Sequence, residues 1–123
     1  MKRLLFIRSF HHAWRGLRLA FHFERSFRIQ VVAALLVILC VTILPLQSWE
    51  RIVLLVVTMF VLVLELVNSS IERMVDMVKP RLSEYAGDIK DLMAGAVLLA
   101  AFFAAVLGVI ILLPYIGNVL GRV

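Results

Sequence analysis

The stretch VLELVNSSIERMVD, residues 63–76, places Glu65, Asn68, Glu72 and Asp76 just after thirteen uncharged residues, Ile52 to Leu64. On a helix turning about 100° per residue, the three carboxylates project within roughly 40° of one another, and Asn68 lies about 60° to one side. All four polar groups thus share one stripe. Counted from Ile52, Glu65 is about 20 Å along the helix, and an ionised carboxylate that deep in hydrocarbon is costly unless it is paired, hydrated or neutralised. Carboxylates flanking an amide suit two chemistries: holding a hard cation through oxygen, or taking a proton from a hydroxyl. Glu65, the deeper acid, is expected to be the base. Glu72 is nearer the water and better placed for a Mg²⁺ ion carrying a phosphate.

Further groups sit near the same level of the chain. In KPRLSEYAGDIKDLMAGAVLLAA, Pro80 is expected to end a helix and Gly87 to sit in a flexible turn, with Lys90 and Asp91 just before the next apolar run. Lys90 can meet a phosphate as a point charge, and Asp91 is expected to start a helix, where an acid complements the dipole. Glu24 is the only acid among the first 49 residues. A local ion pair with Arg25 or Arg28 would account for it simply. The sequence contains no Walker loop, no protein-kinase glycine loop and no Cys/His metal spacing, so a bound nucleotide would be held by another device.

The elements that carry these groups follow from composition. In 123 residues, 63% are hydrophobic and mean hydropathy is +1.04, too apolar for a water-soluble globule of this size. Spans are expected at about 29–46, 52–78 and 89–113, within a single domain over 1–123. The opening MKRLLFIRSF has too short an apolar run to read as a secretory leader. Seven cations against one acid fill residues 1–28, and Lys79, Arg81 and Lys90 fall before the third span. Both segments are therefore expected on the cytoplasmic side, with Trp49 and Tyr115 at the opposite interface. Phe6, Phe10, Trp14, Leu17 and Phe21 recur at helical spacing, which predicts an amphipathic helix over about 4–26 lying on the membrane surface. Its arginines would meet anionic lipid or phosphate, and no nucleic-acid partner is expected. Cys40, the only cysteine, falls in the middle of the first span as a buried thiol. Ala96, Ala100, Ala104 and Gly108, at every fourth position of the third span, let another helix approach closely. Three spans enclose a polar site poorly, so the acidic face is expected to turn toward a neighbouring subunit.

LELVNSSIERMVD resembles the acidic signature of the prokaryotic diacylglycerol kinase family, which includes undecaprenol kinase. AWRGLRLAFHFERSFRIQ is similar to that family's surface helix and the acid before its first span, and IKDLMAGAVLLAA to the segment opening its third. The resemblance covers nearly the whole chain. It implies an all-α membrane protein, a homotrimer with a surface helix and three spans per subunit, in the bacterial inner membrane. It also implies transfer of the γ-phosphate of ATP, with Mg²⁺, to a lipid alcohol, diacylglycerol or undecaprenol, at a site shared between subunits. Carried over by position, Glu65 matches the proposed base and Asn68 the amide beside it. Glu24 and Glu72 match the metal-coordinating acids, Asp76 belongs to the same face, and Lys90 and Asp91 match the pair near the nucleotide phosphates. Lys90 and arm arginines, Arg15 among them, would steady the polyphosphate. Two positions depart from the pattern: the linker RLSEYAGDIKD lacks a histidine often found there, and Gln30 stands where the enteric enzymes have an acid.

Two readings from other classes compete. A cation or proton conduit would need polar residues through the outer half of the membrane, where Ile52 to Leu64 offers only Thr58. A non-catalytic scaffold would explain the basic arm and the small-residue ridge, and would leave Glu65 without a purpose.

Overall fold

The computed structural model describes residues 2–78 and 83–121, without the side chains of residues 2–6 and 83. Lys79, Pro80, Arg81 and Arg122 therefore lie outside the described residues. Four helices follow in order: α1 (Lys2–Phe23), α2 (Arg25–Ile43), α3 (Ser48–Val78) and α4 (Ser83–Leu120). The last three are long and apolar enough to cross a membrane. The protein is an all-helical membrane protein.

The break between α1 and α2 is one residue wide. Glu24 has extended backbone angles, φ −101° and ψ 107°, and its side chain does not cap the new helix. The joint is held from the other side: the Arg28 guanidinium donates from Nη1 to the carbonyls of Phe21 at 3.0 Å and His22 at 2.8 Å. These carbonyls end α1 and have no helical partner, so a cation there satisfies both hydrogen bonding and the helix dipole. Phe10, Trp14 and Phe21 are exposed along α1, as befits a helix whose apolar face enters the headgroup boundary.

At the far end, Leu44 leaves the helical region ahead of Pro45, which disfavours helix in the residue before it. The helix α3 restarts with Glu50 in its first turn. Glu50 Oε2 accepts from the Gln47 backbone N–H at 2.7 Å, half of a capping box, and from Tyr115 Oη at 2.6 Å. Glu50 is buried. Trp49 Nε1 donates to Gln47 Oε1 at 2.7 Å, and Leu44, Leu46, Leu54 and Ile111 pack just inside this polar tie. Trp49 and Tyr115 thus share one end of the bundle, as expected.

α3 lies between α2 and α4 and packs on both. Several boundaries differ from expectation: α1 ends at Phe23, inside the expected surface helix, α2 runs over Arg25–Ile43 against about 29–46, and both ends of α4 lie further out. Gly87 belongs to α4, which begins at Ser83, so Asp91 sits well inside the helix and Glu84 supplies the acid of its first turn. A glycine inside a helix costs about 1 kcal/mol against alanine, less than a helix of this length recovers from its neighbours. At the other end α4 continues past Pro114 to Leu120. The small-residue ridge is partly buried: Ala104 and Gly108 face the chain's own bundle, lining a cavity with Ala34, Val61 and Gln30, whereas Ala96 lines an open concavity on α4.

Candidate active site

α3 presents its polar stripe to the rest of the chain. Glu65 is only 4% exposed, with Asn68 at 8% and Ser69 at 6%, although each is polar. Glu65 is partnered by a group from α2: Gln30 Nε2 donates to Glu65 Oε2 at 3.2 Å. One turn further toward the water, Asn68 Nδ2 donates to Glu72 Oε1 at 3.2 Å. Glu65, Asn68 and Glu72 therefore form a continuous line of oxygen-bearing groups down one face.

Three buried polar atoms along this line have no hydrogen-bond partner: Gln30 Oε1, Asn68 Oδ1 and Ser69 Oγ. Buried acceptors without a donor are expensive, and clusters of them accompany sites that meet a ligand. Their chemistry is uniform, since each is an oxygen. Hard cations and hydroxyl groups both seek oxygen.

Of the remaining candidates, Glu24 and Lys90 are tied to the C-terminal part of α3, where Asp76 lies, whereas Asp91 and Arg15 line concavities that contain no α3 residue. Glu24 does not pair with Arg25 or Arg28. Its Oε1 accepts from Arg73 Nη2 at 3.1 Å, across a separation of 49 residues. The reason is geometric: Arg28 is committed to the carbonyls of α1, while the extended backbone at Glu24 accompanies a carboxylate directed to α3. Arg73 also lies over the Phe23 ring, 5.7 Å from its centroid. Asp76 Oδ1 accepts from Lys90 Nζ at 2.6 Å, joining α3 to α4. Asp91 is exposed beside Asp88 and Gly95 in a shallow concavity on α4. Arg15 lines the groove between α1 and α2, with Arg18, whose guanidinium stands 5.7 Å from the centre of the Trp14 ring.

Sequence reasoning missed two of these groups. Gln30 entered only as a departure from a pattern, and its bond to Glu65 was unforeseen. Arg73, a cation flanking the acidic stripe, was passed over. Its position one residue after Glu72 was the available signal.

Among the described residues, no three His, Cys, Asp or Glu side chains converge into a ready-made metal cage. Mg²⁺ sites of the kind that work with nucleotides need one or two carboxylates, the rest being water and phosphate oxygen. Glu72, beside the unpartnered Asn68 Oδ1, and Glu24, already drawn to a cation, meet that smaller requirement.

A bundle of three membrane-length helices with a surface helix and a buried carboxylate–amide line at one end defines a helical membrane protein with a polar site set toward one interface. Residues 11–112 match the family model for prokaryotic diacylglycerol kinase. The chain is 40% identical over 107 residues to a diacylglycerol kinase of Synechocystis sp., covering 86% of this chain and 61% of that one. It is 33% identical over 111 residues to the diacylglycerol kinase of Escherichia coli K12, covering 90% and 91%. It is 37% identical over 111 residues to the undecaprenol kinase of Bacillus subtilis, covering 89% of each. The chain belongs to the prokaryotic diacylglycerol kinase family.

Proposed function

We propose that the chain is a single-domain membrane lipid kinase, spanning residues 1–123, that moves the γ-phosphate of ATP to the hydroxyl of a lipid alcohol, with diacylglycerol and undecaprenol as the two candidate acceptors. The observation that carries this reading is Glu65, a carboxylate almost wholly withdrawn from solvent inside a membrane-length helix, tied to an amide and followed at one-turn intervals by Asn68 and Glu72. A scaffold has no use for such a group.

In the proposed step, Glu65 accepts the proton of the lipid hydroxyl as that oxygen forms a bond to the γ-phosphorus. The bond from the γ-phosphorus to the β,γ-bridging oxygen breaks, and ADP leaves with the electron pair. Gln30 Nε2 fixes one oxygen of Glu65, leaving the other to receive the proton. Asn68 holds Glu72 through its amide nitrogen and keeps its own oxygen toward the site. Glu24 and Glu72 would hold Mg²⁺, which when bound offsets the charge of the phosphate oxygens. Lys90, held by Asp76 in the structure, would meet the polyphosphate as a point charge, with Asp91 and Arg15 as further nucleotide-side groups. Most of the acceleration then comes from alignment and fixed charge.

The inner ends of the spans, with the basic arm, face the cytoplasm of a bacterial inner membrane, where ATP is found. Three subunits surround the sites. The test is direct: purified protein in mixed micelles with labelled ATP, Mg²⁺ and each lipid alcohol in turn. Label in diacylglycerol or in undecaprenol identifies the acceptor, and label in neither rejects the kinase reading.

A further inference from the structure

Arg73 flanks the acidic stripe of α3, about 100° round the helix from Glu72, and is bound to Glu24. We infer that Arg73 stands in for the metal at Glu24 and passes to the polyphosphate when metal and nucleotide arrive together. The inference rests on the reading of Glu24 as a metal ligand.

The physical case begins with charge. Glu24 sits at the break between α1 and α2 and Glu72 lies on α3 next to Arg73, and under the metal-ligand reading two carboxylates serving one cation repel each other until a cation is present. The guanidinium supplies that charge at 3.1 Å. It cannot remain there once a divalent ion binds the same carboxylate, because the two cations would then repel. The pair is also easy to part. The Arg73 side chain is 51% exposed and that of Glu24 25%, and ion pairs of this exposure contribute little to stability.

A displaced guanidinium needs an anion. Arg73 follows Glu72 directly on α3 and borders the concavity of about 500 Å³ between α1 and α3, whose polar lining is Ser69 and Ser70. A phosphate chain brought by metal on Glu72 therefore arrives within the sweep of a planar, five-donor side chain suited to phosphate oxygens. The Phe23 ring, 5.7 Å from the guanidinium, offers it an aromatic face. The exchange conserves charge. Metal takes the carboxylate, and arginine takes the phosphate.

The consequence is that metal alone competes with Arg73, whereas metal with nucleotide does not. Mn²⁺ binding, followed by electron paramagnetic resonance on the full-length protein in detergent, reads this without turnover, alone and with the β,γ-methylene analogue of ATP. Arg73→Gln should tighten Mn²⁺ binding without nucleotide by roughly two- to fivefold, the loss of a competing exposed ion pair. It should also weaken binding of the Mn²⁺-analogue complex by about fivefold or more, the loss of a charged hydrogen bond. Arg73→Lys keeps the charge and should stay near wild type for Mn²⁺ alone while binding the analogue less tightly. If Arg73→Gln is folded and both affinities match wild type, the exchange does not occur. Glu24→Gln separates the two readings: unchanged Mn²⁺ binding in that variant removes Glu24 as a ligand, whereas weakened binding there with an indifferent Arg73→Gln overturns the role of Arg73 alone.

Discussion

At the scale of single residues, the burial of Glu65 decides most of the chemistry. Glu65→Gln keeps size and hydrogen-bonding capacity while removing the proton acceptor. The fold should survive, seen as unchanged helicity and elution in detergent, and phosphoryl transfer should fall by about 10²–10⁴, the range for a positioned base. Wild-type turnover in that variant would show that another group takes the proton. Gln30→Leu tests the partner. It leaves a buried carboxylate without its donor, which should destabilise the protein by about 1–3 kcal/mol and lower kcat with little change in KM for ATP. Thermal unfolding in detergent and steady-state kinetics check the two halves separately. The stripe itself was legible in the sequence, since residues 65, 68, 72 and 76 share a face on any regular helix. The partners were not. Gln30–Glu65 and Glu24–Arg73 span 35 and 49 residues, and the relative sliding of two helices is set by packing that no local pattern encodes.

At the scale of elements, three spans and a surface helix follow from apolar run length and periodicity, and the structure has them. Their ends were less legible. Gly87 reads as a turn and the third span as ending at 113, yet α4 runs from Ser83 through Gly87 and Pro114 to Leu120, because the surrounding residues keep the other hydrogen bonds of a long helix. The tie at the Trp49–Tyr115 end was missed for the same reason as the site partners, as Tyr115 and Glu50 are 65 residues apart. Tyr115→Phe should lower thermal stability measurably, because Glu50 then keeps only the Gln47 backbone donor. The same variant should leave the rate per folded molecule unchanged, because Tyr115 is at the opposite end of the bundle from Glu65. A loss of transfer at equal folded fraction would mean that the outer tie sets the geometry of the site.

The whole molecule is arranged around an unequal distribution of polar contact. Only 17%, 28% and 11% of the residues in the three membrane-length windows are buried within the chain, so most of their surface is left for lipid or for other copies. Under the trimer reading, light scattering corrected for detergent should give a protein mass of about three times 13.9 kDa. A monomer mass with full transfer activity would show that one chain suffices.

The Glu50–Tyr115–Gln47 knot joins α3 and α4 at the end remote from every group assigned to chemistry. The bundle is thereby built like a pair of tongs, with this buried tie as the rivet and the exposed Lys90–Asp76 pair as a weak clasp across the jaws. A bismaleimide staple between cysteines introduced beside the rivet restrains what is already restrained and should leave turnover intact, whereas the same staple across the jaws, near Arg73 and Lys90, should stop it. A greasy alcohol would then enter sideways from the leaflet of the jaws, without ever crossing the bilayer's midplane.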